Sequence, residues 1–207
     1  MKVKVCGIKD IETALFAAEE GADFIGLNFS PESKRKTDIS TAEKIIFHLR
    51  KNFEKKTEIV LLFFRNSEED IRNALSSLEY DRVQFVARDE TWKNPGLDKN
   101  ILLPQISVEK EIYDSDLDAE SDLLILDSHH KTLGGGTGTV FPWAYVKHLK
   151  RKYLLAGGIT PKNLNLVRSE LNPFGVDTAS GVESSPGVKD RNLIREFIRN
   201  AKGISAS

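Results

Sequence analysis

Eight short apolar runs, separated by longer stretches, do most to narrow what this 207-residue chain can fold into. They are Val3–Cys6, Phe24–Asn28, Glu58–Phe63, Arg82–Phe85, Ile101–Ile106, Leu123–Leu126, Tyr153–Ala156 and Gly175–Asp177. Most lack strict alternation, as expected of parallel strands covered by helices. Helical patterns lie between most of them. Asp10–Glu20 sets Ile11, Leu15 and Ala18 on one face and stops at Gly21. Thr41–Phe53 has Ser40 as its expected N-cap, and Ser67–Ser77 opens with Glu68, Glu69 and Asp70. Pro161–Leu171 is expected to start on Thr160 as N-cap, with proline at the first helical position. Asp190–Lys202 closes the series.

The alternation predicts an α/β fold, a single small (β/α)8 TIM barrel over residues 1–207 with a frayed tail at 203–207. Helices are expected to be shortened or missing around residues 86–122. Trp92, Pro95 and Gly96 interrupt one segment there, and Val108–Asp122 is acidic and poorly periodic. A doubly wound open sheet is the main structural alternative. It places its glycine signal after the first strand, whereas the strongest ones here follow late strands.

Thirty basic and 31 acidic residues give a net charge of −1, so nothing implies nucleic acid or a membrane as partner. The basic stretch Lys147–Lys152 reads as a solvated helix end. One cysteine allows no internal disulfide and points to the reducing cytoplasm. The first residues are strand-like rather than a signal peptide. A monomer or a homodimer is expected.

Cys6 is the first chemical candidate. Free cysteine is most often a buried small hydrophobe, but Cys6 ends a strand, where a barrel presents its catalytic groups. Nearby Lys4 or helix N-termini can stabilise a thiolate there. Asp127 ends the apolar run Leu123–Leu126. It reads either as a loop-starting cap or as a partly buried carboxyl of raised pKa able to act as general acid. Arg35, in the loop after the second strand, is either surface charge or a bidentate partner for a carboxylate. Glycine-rich loops follow the last three strands: Gly134–Gly138 with Gly135 and Gly136, the pair Gly157-Gly158, and Ser180-Gly181 after Asp177. Their backbone N–H groups can approach an anion, and the last two occupy the usual phosphate position of a barrel. His129 and His130 sit beside Asp127, but adjacent histidines on an extended loop point apart, which disfavours a metal site. Trp92 and Trp143 read as packing anchors.

With these residues in order, the chain resembles the phosphoribosylanthranilate isomerase family over nearly its whole length. The resemblance rests on Lys4-Val5-Cys6-Gly7-Ile8, Ser33-Lys34-Arg35, Leu126-Asp127 with Gly135-Gly136-Thr137-Gly138, Ala156-Gly157-Gly158-Ile159, and Val176 to Glu183 before Pro186-Gly187-Val188-Lys189-Asp190. It implies a (β/α)8 barrel and an Amadori rearrangement of a phosphorylated aminoaldose in tryptophan biosynthesis, with no metal or organic cofactor. Asp127 is then the acid that opens the furanose ring and Cys6 the base that takes the C2′ proton. Arg35 holds the anthranilate carboxylate. Gly135, Gly136, Gly157, Gly158, Asp177, Ser180 and Gly181 belong to the substrate-binding set. The family usually reads Gln-Leu-His-Gly after the fourth strand, where this chain has Gln84-Phe85-Val86-Ala87. Thr139 and Pro142 likewise stand where a basic and an acidic residue are usual, and Lys36 where an aromatic is common. Two other readings stay open: a related barrel isomerase for another aminoaldose phosphate, and a non-catalytic phosphate-binding barrel.

Overall fold

A computed structural model describes residues 1–53, 56–86, 92–117, 121–127 and 142–204. Eight parallel strands close into one barrel in chain order: β1 (Lys2–Cys6), β2 (Phe24–Asn28), β3 (Glu58–Phe63), β4 (Arg82–Val86), β5 (Leu102–Ser107), β6 (Leu124–Asp127), β7 (Tyr153–Leu155) and β8 (Gly175–Thr178). β8 pairs with β1, setting Lys4 beside Asp177. A short antiparallel pair, β9 (Glu183–Ser185) and β10 (Val188–Lys189), extends from the end of β8 and was not expected from the sequence.

Among the described residues five α-helices pack outside: α1 (Ile11–Glu19), α2 (Ile39–Phe53), α3 (Glu68–Ser77), α4 (Leu164–Glu170) and α5 (Arg191–Lys202). Alternate residues of each strand face opposite ways. Val3, Val5, Ile25, Leu27, Ile59 and Leu61 join the helices in the outer core, while Phe24, Val60, Leu103, Ile125 and Leu154 fill the barrel's interior. Neither set alternates with exposed polar residues, which is why the runs read as continuously apolar. None of the described helices is long and apolar enough to cross a membrane.

Several boundaries differ from the sequence expectation. α2 starts at Ile39, and its first turn is capped by Asp38, whose carboxylate accepts from the N–H (2.8 Å) and the hydroxyl (3.0 Å) of Thr41; Ser40 lies inside the helix. α4 starts at Leu164, not Pro161. Asn163 precedes it and uses its side chain on the preceding loop, accepting from Thr160 N–H and donating to Gly158 O. Those bonds hold residues 158–163 in a turn that a helix from Pro161 would have to break. Gly203 is no frayed residue but ends α5 in a left-handed conformation (φ 73°), with Ile204 N–H on Arg199 O.

Between β4 and β7 the only helical turns among the described residues are two 3-10 turns, Asp114–Asp116 and Trp143–Tyr145, and the first is the only one within 86–122, where helices were expected to be shortened or missing. Trp92 stacks on Phe85 with centroids 4.4 Å apart and covers the outside of β4. Trp143 packs against the outer core. Lys147–Lys152 is not a helix end. Asp114 takes the backbone N–H groups of Lys150 and Arg151, so they are not available to a helical ladder. Lys152 instead lies over the Phe174 ring.

Candidate active site

The barrel interior changes character along its axis. Its lower layers are apolar, but the inward positions near the C-terminal ends of the strands are Lys4 and Cys6 on β1, Gln84 on β4, Gln105 on β5, Asp127 on β6 and Asp177 on β8, all buried. Burying so many polar groups is unfavourable unless each is paired. Among the described residues their pairings fall into two systems.

The first system lies on the β8–β1 side and is ionic. Lys4 is fully buried and donates to Asp177 Oδ1 at 3.0 Å. Burial opposes its charge, yet the carboxylate of Asp177, with a further attraction to Cys6, holds the Lys4 pKa above its ordinary value. Cys6 ends β1 against Gly26 of the neighbouring strand. A Cβ at Gly26 would stand 2.8 Å from Cys6 Sγ, so a glycine is what leaves room for the thiol. Above it, Arg35 reaches across Gly7 and forms a two-bond fork with Glu183, Nε to Oε1 at 2.7 Å and Nη2 to Oε2 at 2.8 Å. Asn28 builds the loop that carries Arg35: its carboxamide oxygen accepts from Ser30 N–H and its nitrogen donates to Ser33 Oγ, which accepts from Arg35 N–H. Lys189 completes the network, donating to Glu183 Oε1 at 2.9 Å and Ala179 O at 2.7 Å. Burial works to raise the Glu183 pKa, but the Arg35 hydrogen bonds and the Lys189 charge hold it at about 2. Burial, helped by the Arg35 cation and opposed by Glu183, pulls Lys189 below the usual lysine range.

The second system lies across the mouth and is built from amides. Gln84 Nε2 donates to Gln105 Oε1 at 2.7 Å, and Gln105 Nε2 donates to Asp127 Oδ2 at 2.7 Å. The chain therefore runs from β4 through β5 to the carboxyl at the end of β6.

Between the two systems lie the loops after β7 and β8. Gly157 and Gly158 both adopt positive φ (81° and 67°), a backbone that other residues rarely take. Gly181 sits in the turn Ser180–Val182, and a Cβ there would fall 2.0 Å from Ile159 O. Thr178 Oγ1 donates to the same carbonyl at 2.9 Å, so the two loops are stitched into one unit.

The sequence-derived residues thus come together. Cys6, Arg35, Asp127, Asp177, Gly157, Gly158, Ser180 and Gly181 all gather at the C-terminal mouth of the barrel. Arg35 is held by Glu183 rather than standing free. Gly135 and Gly136, with Gly134, Thr137, Gly138, His129, His130 and Thr139, lie outside the described residues. Four residues escaped the sequence reading as members of the site: Gln84, Gln105, Glu183 and Lys189. A polar residue within each of the runs Arg-Val-Gln-Phe-Val and Leu-Leu-Pro-Gln-Ile was the available signal for the two glutamines. A thiol and a carboxyl, on strands separated by β7 and β8, face a common mouth in different electrostatic settings, an arrangement suited to moving protons on opposite sides of one small molecule.

Comparison with known proteins agrees with this picture. The family model described as N-(5'phosphoribosyl)anthranilate (PRA) isomerase matches residues 3–200. The chain is 47% identical over 210 residues to an N-(5'-phosphoribosyl)anthranilate isomerase of Leptospira interrogans, covering 99% of this chain and 96% of the relative. Among solved structures, the phosphoribosyl anthranilate isomerase of Thermotoga maritima superposes with a TM-score of 0.81 at 30% identity, over 98% of this chain and 99% of the other. A phosphoribosyl anthranilate isomerase in complex with reduced 1-(o-carboxyphenylamino)-1-deoxyribulose 5-phosphate matches with a TM-score of 0.76 at 29% identity, over 98% and 99% of the two chains.

Proposed function

The chain belongs to the N-(5'-phosphoribosyl)anthranilate isomerase family, and from that premise we propose how its own residues carry out the aldose-to-ketose isomerisation of tryptophan biosynthesis. Asp127 protonates the furanose ring oxygen. The ring C1′–O bond breaks with its electrons moving to that oxygen, and the anilino nitrogen lone pair forms the C=N bond of a Schiff base. Cys6, as thiolate, then removes the C2′ proton, and the resulting enolamine tautomerises to the ketone. Each acid or base of this kind contributes roughly 10²–10⁴-fold.

The observation that carries the reading is the unlike surroundings of two buried groups at one barrel mouth. Cys6 lies beside the Lys4 ammonium, which attracts a thiolate, whereas Asp127 accepts a bond from the neutral amide of Gln105. The stitched loops at Gly157-Gly158 and Ser180-Gly181 supply backbone N–H groups for the phosphate. Arg35 keeps donors beyond its fork with Glu183 for the anthranilate carboxylate. Asp177 acts by holding Lys4.

The test is the loss of phosphoribosylanthranilate fluorescence, with substrate generated in situ, for wild type and Cys6→Ala. The expected result is turnover by wild type that falls by roughly 10²–10⁴-fold in the variant. Turnover of a different aminoaldose phosphate in place of this one would reject the substrate.

A further inference from the structure

The scheme above makes no use of Gln84 and Gln105, although both are buried in the barrel interior and joined to the acid. We infer that Gln105, oriented by Gln84, is a positioning residue for Asp127: it fixes which carboxyl oxygen delivers the proton and stabilises the carboxylate left behind. The inference rests on Asp127 being the general acid.

The direction of the chain follows from chemistry. An ionised carboxylate only accepts, so Gln105 must turn its Nε2 toward Asp127 once the proton has left. Its Oε1 then faces Gln84, which must present Nε2. Those are the bonds in the structure. The far end of the chain, Gln84 Oε1, is buried with no hydrogen-bond partner among the described residues. Reversing the chain would instead leave a buried NH2 unpaired, so reversal does not relieve that defect.

Two consequences bear on catalysis. With a donor on Oδ2, the proton of the neutral acid resides on Oδ1, because a hydroxyl oxygen is a poorer acceptor than a carbonyl oxygen. The same bond changes from neutral to charge-assisted as Asp127 ionises. It is therefore stronger as the proton departs than in the resting acid, and interactions of that type raise kcat.

The test compares wild type, Gln105→Met, Gln84→Glu, Gln84→Met and Asp127→Asn by steady-state turnover across pH, with circular dichroism to verify folding. Gln105→Met is expected to lower kcat roughly 10–100-fold, as loss of a hydrogen bond to a charged group does, with KM changed far less. It should also move the limb of the pH profile that tracks Asp127 upward by about one unit or more, because losing the donor raises the pKa of the acid. A purely structural role would leave that limb in place. Gln84→Glu puts a carboxylate where the amide nitrogen was. It draws Gln105 Nε2 to itself and turns Oε1 onto Asp127, where it captures the proton, so its loss of kcat should exceed that of Gln84→Met.

A folded Gln105→Met with wild-type kcat and an unmoved limb overturns the inference while leaving the isomerase reading intact. If Gln105→Met does not fold, equal losses in Gln84→Glu and Gln84→Met overturn it. An active Asp127→Asn removes the acid assignment and this inference together, and no turnover by wild type rejects the reading on which both stand.

Discussion

On the β8–β1 side of the barrel mouth, polar groups are buried as ions: Lys4 with Asp177, and Arg35 and Lys189 with Glu183. On the β4–β6 side they are buried as the neutral amides of Gln84 and Gln105, ending on Asp127. The cationic side favours an anion, whether a thiolate at Cys6 or a bound carboxylate. An amide chain orients a carboxyl without adding a formal charge, which is compatible with a group that must hold a proton before releasing it. One small barrel thereby sets the proposed base and the proposed acid within a single mouth.

The comparison breaks most severely at the proposed acid, Asp127. Asp127→Asn leaves a group of the same shape that has no acidic proton, and kcat should fall roughly 10²–10⁴-fold in the fluorescence assay. Near-full activity would mean that the amide side carries no acid.

The ionic side is sharpened next by Lys4→Met. This change leaves Asp177 buried without its cation, and breaking a buried pair costs about 3–5 kcal/mol, to be measured by urea unfolding. A double variant, Lys4→Met with Asp177→Leu, should regain much of that loss. If the single variant were as stable as wild type, the pair would not be what holds β8 against β1.

The smallest effect is expected at the rim. Glu183→Gln weakens the fork that aims Arg35, and KM should rise about tenfold with kcat little changed. The same variant tests the sign of the electrostatics. Because the folded pKa of Glu183 is depressed to about 2 from 4.5, its network contributes full stability above about pH 4.5 and loses it as pH falls toward 2. The stability gap between wild type and Glu183→Gln should therefore narrow over that window. A gap independent of pH would show that Glu183 acts by packing alone.

The strands were legible because a buried parallel strand is apolar on both faces. Each of the eight runs became a strand with ends shifted by at most one residue. Helix starts were less legible. Asp38 rather than Ser40 capped α2, since either side chain can cap and only the backbone path selects one. At the site, Cys6, Asp127 and Arg35 were visible from position and motif. Gln105 was not, because a glutamine in an apolar run is equally compatible with the outer surface until the inward parity of β5 is known.

The sequence by itself determined the order of strands and helices and the strand-end placement of Cys6 and Asp127, because those depend on patterns within a few residues. Only the closed barrel decided the partners. Lys4 meets Asp177 across 173 residues and Arg35 meets Glu183 across 148. Ion pairing and desolvation depend on distance and burial, and neither exists for these groups until β8 closes against β1.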